Sequence, residues 1–145
     1  MITYKVTGIE SIDIIKPLVA KLSDYHKDIS SYFSKDFEVD NYDQKKSLIS
    51  GKHHVQVTIA HDNNEPVAYL VASVHKNEGV IESLYVDENY RGYEIGDTLM
   101  SLSLDWIKKH EPESIKISVA YGNKVLSFYE KFGFYPRSII LKELN

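Results

Sequence analysis

Residues 80–99 read Val-Ile-Glu-Ser-Leu-Tyr-Val-Asp-Glu-Asn-Tyr-Arg-Gly-Tyr-Glu-Ile-Gly-Asp-Thr-Leu. The first seven residues, Val80 to Val86, are mostly β-branched or aromatic, which predicts a strand. After a polar break, Arg91-Gly92 and Gly96 bracket a tight turn that opens a long apolar-periodic segment. The unpaired backbone N–H groups of a helix N-terminus should converge at this turn. The stretch therefore predicts a strand, a phosphate-binding turn and a helix.

The turn alone is ambiguous, because its glycines match neither Gly-x-Gly-x-x-Gly nor the phosphate loop with its Lys-Ser/Thr. A second segment, residues 123–135, reads Asn-Lys-Val-Leu-Ser-Phe-Tyr-Glu-Lys-Phe-Gly-Phe-Tyr. In order and spacing, the two segments together resemble the GNAT superfamily of acetyl-CoA-dependent N-acetyltransferases, over roughly residues 54 to 144. This resemblance implies an acyltransferase that uses acetyl-CoA as a co-substrate.

The resemblance also implies a set of cofactor-binding residues around the turn. They are Leu84, Tyr85, Val86, Arg91, Gly92, Tyr93, Glu94, Ile95, Gly96, Asp97, Asn123 and Tyr129. In the family the turn reads Arg or Gln, two residues, Gly, one residue, then Gly or Ala, and here Glu94 replaces the first glycine. A carboxylate close to two phosphates is unfavourable unless it points to solvent. We therefore expect Glu94→Gly to tighten cofactor binding.

The implied chemistry is direct attack of a neutral amine on the thioester carbonyl, with departure of the CoA thiolate. Tyr129 matches the tyrosine that faces the thioester sulfur in the family, and is the candidate general acid. Backbone N–H groups would stabilise the oxyanion. Asn123 is expected to cap the helix that carries Tyr129, and the resemblance adds a contact to the cofactor arm.

Glu82 is the candidate base, because it lies on the strand before the turn and matches a glutamate of diamine acetyltransferases in the family. A chain of waters is the alternative route for the proton. Strand alternation predicts that Glu82 shares a face with Leu84 and Val86. Ile81 and Ser83 would then point to the opposite face.

Composition limits the other classes of function. A chain of 145 residues with 43% hydrophobic content is long enough for one sizeable core. The absence of cysteine excludes disulfides, thiolate metal sites and a cysteine nucleophile. Three histidines, His53, His54 and His61, lack the convergent spacing of metal ligands, so no metal is expected. A net charge of −4 with scattered Lys and Arg argues against nucleic acid and mildly favours a cationic substrate.

The sequence shows neither a signal-peptide pattern at its start nor a run of 18 apolar residues. We therefore expect a cytoplasmic protein with no membrane partner. The resemblance to GNAT proteins further implies a possible homodimer.

The expected fold is α/β, a single GNAT-like domain over residues 1–145. Its sheet should have about seven strands, mostly antiparallel, flanked by helices. The predicted strands are 2–7, 55–60, 67–74, 80–86, 115–119 and a terminal pair from Phe134 onward that includes 139–141. The predicted helices are one after Gly8 in which Pro17 removes a backbone bond or introduces a kink, 43–49, one from Ile95 to near His110, and 123–132. Gly133 should cap the last of these at positive φ, and Asn63-Asn64 should form a hairpin turn. The strand-helix-strand order predicts that strands 80–86 and 115–119 form a parallel pair. The resemblance implies that these two strands splay apart around the pantetheine arm.

Residues 20–52 are expected to shape the acceptor site, with His26 as a possible border. Five aromatic residues in this region either form a wall for a cation or merely pack: Tyr25, Tyr32, Phe33, Phe37 and Tyr42. The acceptor would be an amine-bearing small molecule or peptide. Two other functions suit the same fold, namely a non-catalytic acyl-CoA-binding module and a regulatory domain whose partner contacts residues 25–42.

Overall fold

The computed structural model describes residues 1–37 and 42–144. Over these ranges it contains five strands: β1 (Ile2–Thr7), β2 (His54–Asp62), β3 (Glu65–His75), β4 (Glu78–Val86) and β5 (Ser114–Ile117). The same ranges contain four α-helices: α1 (Lys16–Ile29), α2 (Tyr42–Ser50), α3 (Ile95–Lys109) and α4 (Leu126–Glu130). Short 3₁₀ helices lie at Ile9–Ile15, Ser34–Phe37 and Glu88–Tyr90.

The five strands form one sheet in the order β1-β2-β3-β4-β5. The first four are antiparallel, and two-residue turns connect β2 to β3 and β3 to β4. Asn63 and Asn64 have φ values of 49° and 73°, and Lys76 and Asn77 have 50° and 64°. Positive φ at both central residues gives the turn a twist that matches the flanking strands. The predicted hairpin at Asn63-Asn64 is confirmed.

The sheet carries a separate apolar core on each face. Leu70 and Ala72 of β3 pack on the side of α3, together with Leu99. The alternate residues of β3, Tyr69 and Val71, pack on the opposite side against the 3₁₀ helix Ile9–Ile15 and α1. Because successive side chains of a strand point to opposite faces, β3 is buried on both sides.

The predicted parallel pair is confirmed, and its two strands separate. β5 pairs with β4 from Glu78↔Ser114 to Ile81↔Ile117. β4 then continues to Val86 without β5 beside it. The separation leaves a backbone edge of β4 open between the sheet and the chain that follows β5.

The predicted terminal pair of strands is wrong. Residues 134–144 contain no strand, and the sheet has five strands instead of about seven. Ile139, Ile140 and Leu141 are 80%, 90% and 90% exposed. Their β-branched composition favours extended backbone, but a strand needs a neighbour for its hydrogen bonds. No neighbouring strand is present for them in the part of the chain described.

Two predictions about the helices are wrong, those for Pro17 and Asn123, and the prediction for Gly133 is confirmed. Pro17 does not kink a helix but lies at the first turn of α1, where its missing N–H has no helical partner to lose. Asn123 does not cap α4, which begins three residues later with Val125 at the N-cap position. Gly133, with a φ of 88°, follows α4 as predicted. Among the residues described, no helix has the length and apolarity needed to cross a membrane.

Candidate active site

The turn before α3 presents a run of unpaired backbone donors. The helix begins when the Thr98 N–H donates to the Glu94 carbonyl at 3.1 Å. The N–H groups of residues 92–97 have no acceptor within residues 1–37 and 42–144. Gly92 has a φ of 88°, a left-handed conformation that glycine adopts without strain and that tightens the turn. A helix N-terminus of this kind binds anions, and phosphates in particular.

Arg91 adds a fixed positive charge beside the turn. Its Nε donates to the Val86 carbonyl at 3.1 Å. Its guanidinium carbon lies 5.8 Å from the ring centre of Tyr25 and 5.6 Å from that of Tyr85. These cation–π contacts restrict the side chain to the end of β4. Tyr25, which the sequence assigned to a possible acceptor wall, thus lies on the phosphate side.

A cavity of about 390 Å³ opens in front of the turn, and we name it the turn cavity. Every predicted cofactor-binding residue lines it except Tyr93, which is 71% exposed. Sequence reasoning missed Leu22, Tyr25, Tyr90, Val125 and Phe128, which also line it. The Phe128 ring accounts for the absence of a side chain at Gly96, because a Cβ there would lie 3.2 Å from the ring. The signal that could have identified Phe128 is its place directly before Tyr129 in the sequence.

The turn contains two carboxylates, those of Glu94 and Asp97, and their positions decide whether an anion can bind there. Glu94 is exposed and adopts the left-handed conformation, with φ 60° and ψ 19°. Non-glycine residues pay a conformational penalty there, which accounts for the glycine that the family prefers. Asp97 forms an ion pair with Lys131 at 2.8 Å. The backbone donors of the turn therefore remain available to an anion.

A second cavity of about 570 Å³ lies between α1, α2, β4 and the segment after β5, and we name it the α2 cavity. The two cavities share five lining residues, which are Leu22, Leu84, Asn123, Val125 and Tyr129. The α2 cavity therefore adjoins the turn cavity at these residues. Glu82 and Tyr129 both line the α2 cavity, so the structure brings the two predicted catalytic residues to one space.

Tyr129 lies where the cavities meet and is 9% exposed. Burial raises the pKa of Tyr129 to about 12, so its hydroxyl is protonated at neutral pH. This hydroxyl makes no hydrogen bond within the described ranges. The Asn123 Oδ1 atom nearby is buried and also lacks a hydrogen-bond partner among the residues described. A buried amide oxygen requires a donor, and an amide N–H of a pantetheine arm fits that requirement.

Glu82 occupies a β-bulge. The register of β3 and β4 passes from Val71↔Ser83 to Ala72↔Ile81, which leaves Glu82 as the extra residue. The predicted alternation is therefore wrong. Glu82 accepts a hydrogen bond from Ser73, which lies on the Val71 face of β3.

Ser83 shares this face, since its hydroxyl is hydrogen-bonded to that of Tyr69 at 2.7 Å. Leu84 and Val86 instead pack with Ile81 on the α3 side. The bulge thus turns two consecutive polar residues, Glu82 and Ser83, toward the α2 cavity.

Two partners of Glu82 were missed by sequence reasoning. Lys52 Nζ donates to Glu82 Oε2, and the Ser73 hydroxyl donates to the same oxygen at 2.5 Å. The Lys52 and Glu82 side chains are 26% and 15% exposed, so the ion pair is largely shielded from solvent. Lys52 follows α2 and lies 30 positions from Glu82 in the chain. No local pattern could have predicted their contact.

The aromatic residues of the N-terminal region do not form one wall. Tyr42 lines the α2 cavity, and Tyr32 is 66% exposed. Phe33 lies under Lys142, 5.5 Å from Nζ to the ring centre. The side chain of Phe37 lies outside the described residues. His26 does border the α2 cavity, where burial lowers its pKa and the charge of Lys45 lowers it further.

Comparison with known proteins supports one family. The sequence profile of the Acetyltransferase (GNAT) family matches residues 22–134. An uncharacterised N-acetyltransferase from Methanocaldococcus jannaschii is 26% identical over 86 residues, a match that covers 54% of this chain and 38% of that protein. The chain thus spans less than two fifths of the length of this curated relative.

Solved structures share the fold. A Pyrococcus furiosus protein described as a candidate acetyl transferase superposes with a TM-score of 0.77 at 20% identity, covering 97% of this chain and 99% of its own. The PaiA N-acetyltransferase from Thermoplasma acidophilum, in complex with coenzyme A, has a TM-score of 0.73 at 16% identity. That match covers 97% of this chain and 93% of PaiA.

Proposed function

The chain belongs to the GNAT acetyltransferase family, and we propose that it transfers the acetyl group of acetyl-CoA to a primary amine of a small molecule or peptide. One observation carries the proposal. The turn cavity, which has free backbone donors for phosphates, adjoins the α2 cavity, which is lined by a carboxylate. Tyr129 lines both cavities, at the place where donor and acceptor would meet.

In this proposal the turn binds the pyrophosphate of CoA. The N–H groups of residues 92–97 donate to phosphate oxygens, and Arg91 supplies the compensating charge. Asn123 Oδ1 accepts a hydrogen bond from the pantetheine arm. The open edge of β4 beyond Ile81 pairs with the arm as an added strand would.

Tyr129 and Glu82 then perform the proton transfers. Glu82 accepts the proton of the acceptor ammonium, directly or through a water. Backbone N–H groups at the open edge of β4 stabilise the developing oxyanion. The Tyr129 hydroxyl protonates the departing sulfur, a role that suits a phenol that stays protonated at neutral pH. Ser73 and Lys52 hold the Glu82 carboxylate in place.

The departure at Glu94 in the turn allows the alternative of a non-catalytic acyl-CoA-binding module. The open backbone donors suit both functions, since each requires CoA binding. A pure binding module has no need for a carboxylate and a buried tyrosine that line one cavity.

The test is incubation of the protein with acetyl-CoA and a mixed panel of amines. Free thiol and acetylated products are followed by mass spectrometry. We expect thiol and acetylated amine in equal amounts. Bound CoA without any transfer would support the binding module, thiol without product would mean hydrolysis only, and no affinity for CoA would support the regulatory domain.

A further inference from the structure

The α2 cavity has an unequal distribution of charge. Among the described residues that line it, three are lysines, Lys45, Lys46 and Lys52, and one is a carboxylate, Glu82. The charged residues that line the cavity thus have a positive sum, whereas the whole chain has a net charge of −4. The charge that an acceptor meets is set by these nearby groups, since solvent and salt screen distant ones.

Two of the three lysines already have carboxylate partners. Lys52 is bound to Glu82. Lys46 Nζ donates to both oxygens of Asp13, at 3.0 and 3.1 Å. These contacts offset the positive charges of Lys46 and Lys52.

Lys45 is the third lysine, and its positive charge is not offset by an ion pair with any described residue. It is exposed at the rim of the cavity, and no carboxylate in the described ranges forms an ion pair with it. Burial lowers the pKa of His26, another residue that lines the cavity, and the charge of Lys45 lowers it further. A lowered pKa keeps His26 uncharged at neutral pH, so His26 does not change the balance.

The rest of the cavity wall is largely aliphatic. Ile12, Ile15 and Val19 line it from the N-terminal helices, and Leu48 and Ile49 from α2. An acceptor that fills this space needs an apolar body. The wall thus combines aliphatic surface with one uncompensated positive charge.

We propose that the acceptor is an amine that also carries an anionic group, a carboxylate in the first instance, on an apolar body. This inference rests on the proposed function. Lys45 would bind the anionic group while the amine points toward Glu82 and Tyr129. A polyamine is disfavoured, because its second ammonium would meet the positive charge of Lys45.

The anionic group takes no part in the bond changes. The amine nitrogen bonds to the acetyl carbon, and the carbon–sulfur bond breaks. Glu82 or water takes one proton from the acceptor ammonium, and the nitrogen loses a second proton to water after it attacks. The Tyr129 proton goes to sulfur and is replaced from water. The carboxylate selects and orients the acceptor through Lys45.

The test uses matched acceptors that differ in the anionic group alone. Apolar amino acids are compared with their carboxamides and with spermidine, by kcat/KM in wild type, Lys45→Gln and Lys109→Gln. Lys109 is exposed at the end of α3 and lines neither cavity, so Lys109→Gln is the matched control. Comparing the carboxylate-to-carboxamide ratio between variants cancels the different basicities of the two amines.

We expect Lys45→Gln to lower the carboxylate-to-carboxamide ratio by about fivefold to tenfold, the loss expected for one partly solvated charge contact. Lys109→Gln should leave the ratio unchanged. An unchanged ratio in Lys45→Gln, or turnover of spermidine above that of every amino acid, would overturn this inference and leave the proposed acetyl transfer intact. Acetylation of no amine would refute both proposals.

Discussion

The turn cavity and the α2 cavity meet at Tyr129 but are built from different parts of the chain. The anion-binding part of the turn cavity consists of backbone N–H groups from one contiguous segment, residues 92–97. The hydrogen-bonded cluster around Glu82 at the α2 cavity consists of side chains from three segments, Lys52, Ser73 and Glu82. A backbone site is set by local conformation, whereas a side-chain site depends on tertiary packing.

This difference determines how each cavity should respond to substitution. Backbone donors persist when a side chain of the turn changes, as Glu94 in place of a glycine illustrates. A shielded ion pair loses its balance when one partner is removed. We therefore expect large effects at the α2 cavity and at the junction, and small effects at the turn.

The largest effect is expected for Tyr129→Phe, which tests whether the two cavities form one catalytic site. Turnover should fall by about 10²-fold, because the departing sulfur loses its proton donor. Affinity for CoA should stay unchanged, because the turn binds the phosphates. Steady-state kinetics and calorimetric CoA binding measure the two effects.

Tyr121→Phe is the matched control for this variant, since Tyr121 is 76% exposed and lines neither cavity. Thermal unfolding of both variants checks that each is folded. Unchanged turnover in folded Tyr129→Phe would refute the role of the hydroxyl as the acid.

An intermediate effect is expected for Lys52→Met, which tests the side-chain construction of the α2 cavity. Glu82, 15% exposed, would lose its ammonium partner. The free energy of unfolding should fall by about 2 kcal/mol, since a shielded carboxylate is left unpaired. Adding Glu82→Gln to this variant should restore part of the loss. Urea denaturation measures all three proteins.

Lys46→Met is the matched control, because its partner Asp13 is 67% exposed. Solvent already screens that pair, so its loss should lower the free energy of unfolding much less than the loss of the Lys52–Glu82 pair. Equal decreases in the free energy of unfolding for the Lys46 and Lys52 variants would show that the Lys52–Glu82 pair contributes no more to stability than an exposed ion pair.

The smallest effect is expected for Glu94→Gly, which tests the backbone construction of the turn cavity. Glycine adopts the observed φ of 60° without strain, so the free energy of unfolding should rise by about 1 kcal/mol. CoA affinity should rise about twofold to fivefold, because a negative charge leaves the vicinity of the phosphates. Urea denaturation and calorimetry provide the two values.

Glu94→Gln separates the two causes, since it removes the charge but keeps a side chain at positive φ. This variant should gain affinity without gaining stability. A loss of CoA affinity in Glu94→Gly would contradict our placement of the phosphates at the turn.

Local sequence patterns predicted those elements whose stabilising contacts are local or periodic. The strand Val80–Val86, the turn, helix α3 and the Asn63-Asn64 hairpin were all predicted, because glycines, asparagines and apolar periodicity act within a few residues. The predictions for residues 139–141 and for the Asn123 cap were wrong. A strand depends on a partner elsewhere in the chain, and the start of α4 depends on how the preceding loop packs.

The sequence by itself determined the family, the order of the main elements and the residues of the phosphate turn, since these depend on a conformation encoded in consecutive residues. Only the tertiary structure decided where Glu82 points, because its orientation follows from a bulge against β3. It alone paired Glu82 with Lys52 and left Lys45 without a carboxylate partner among the residues described. The net charge of a cavity is the sum of the charges of its lining residues, which are far apart in sequence. It is therefore decided by the packing that brings these residues together.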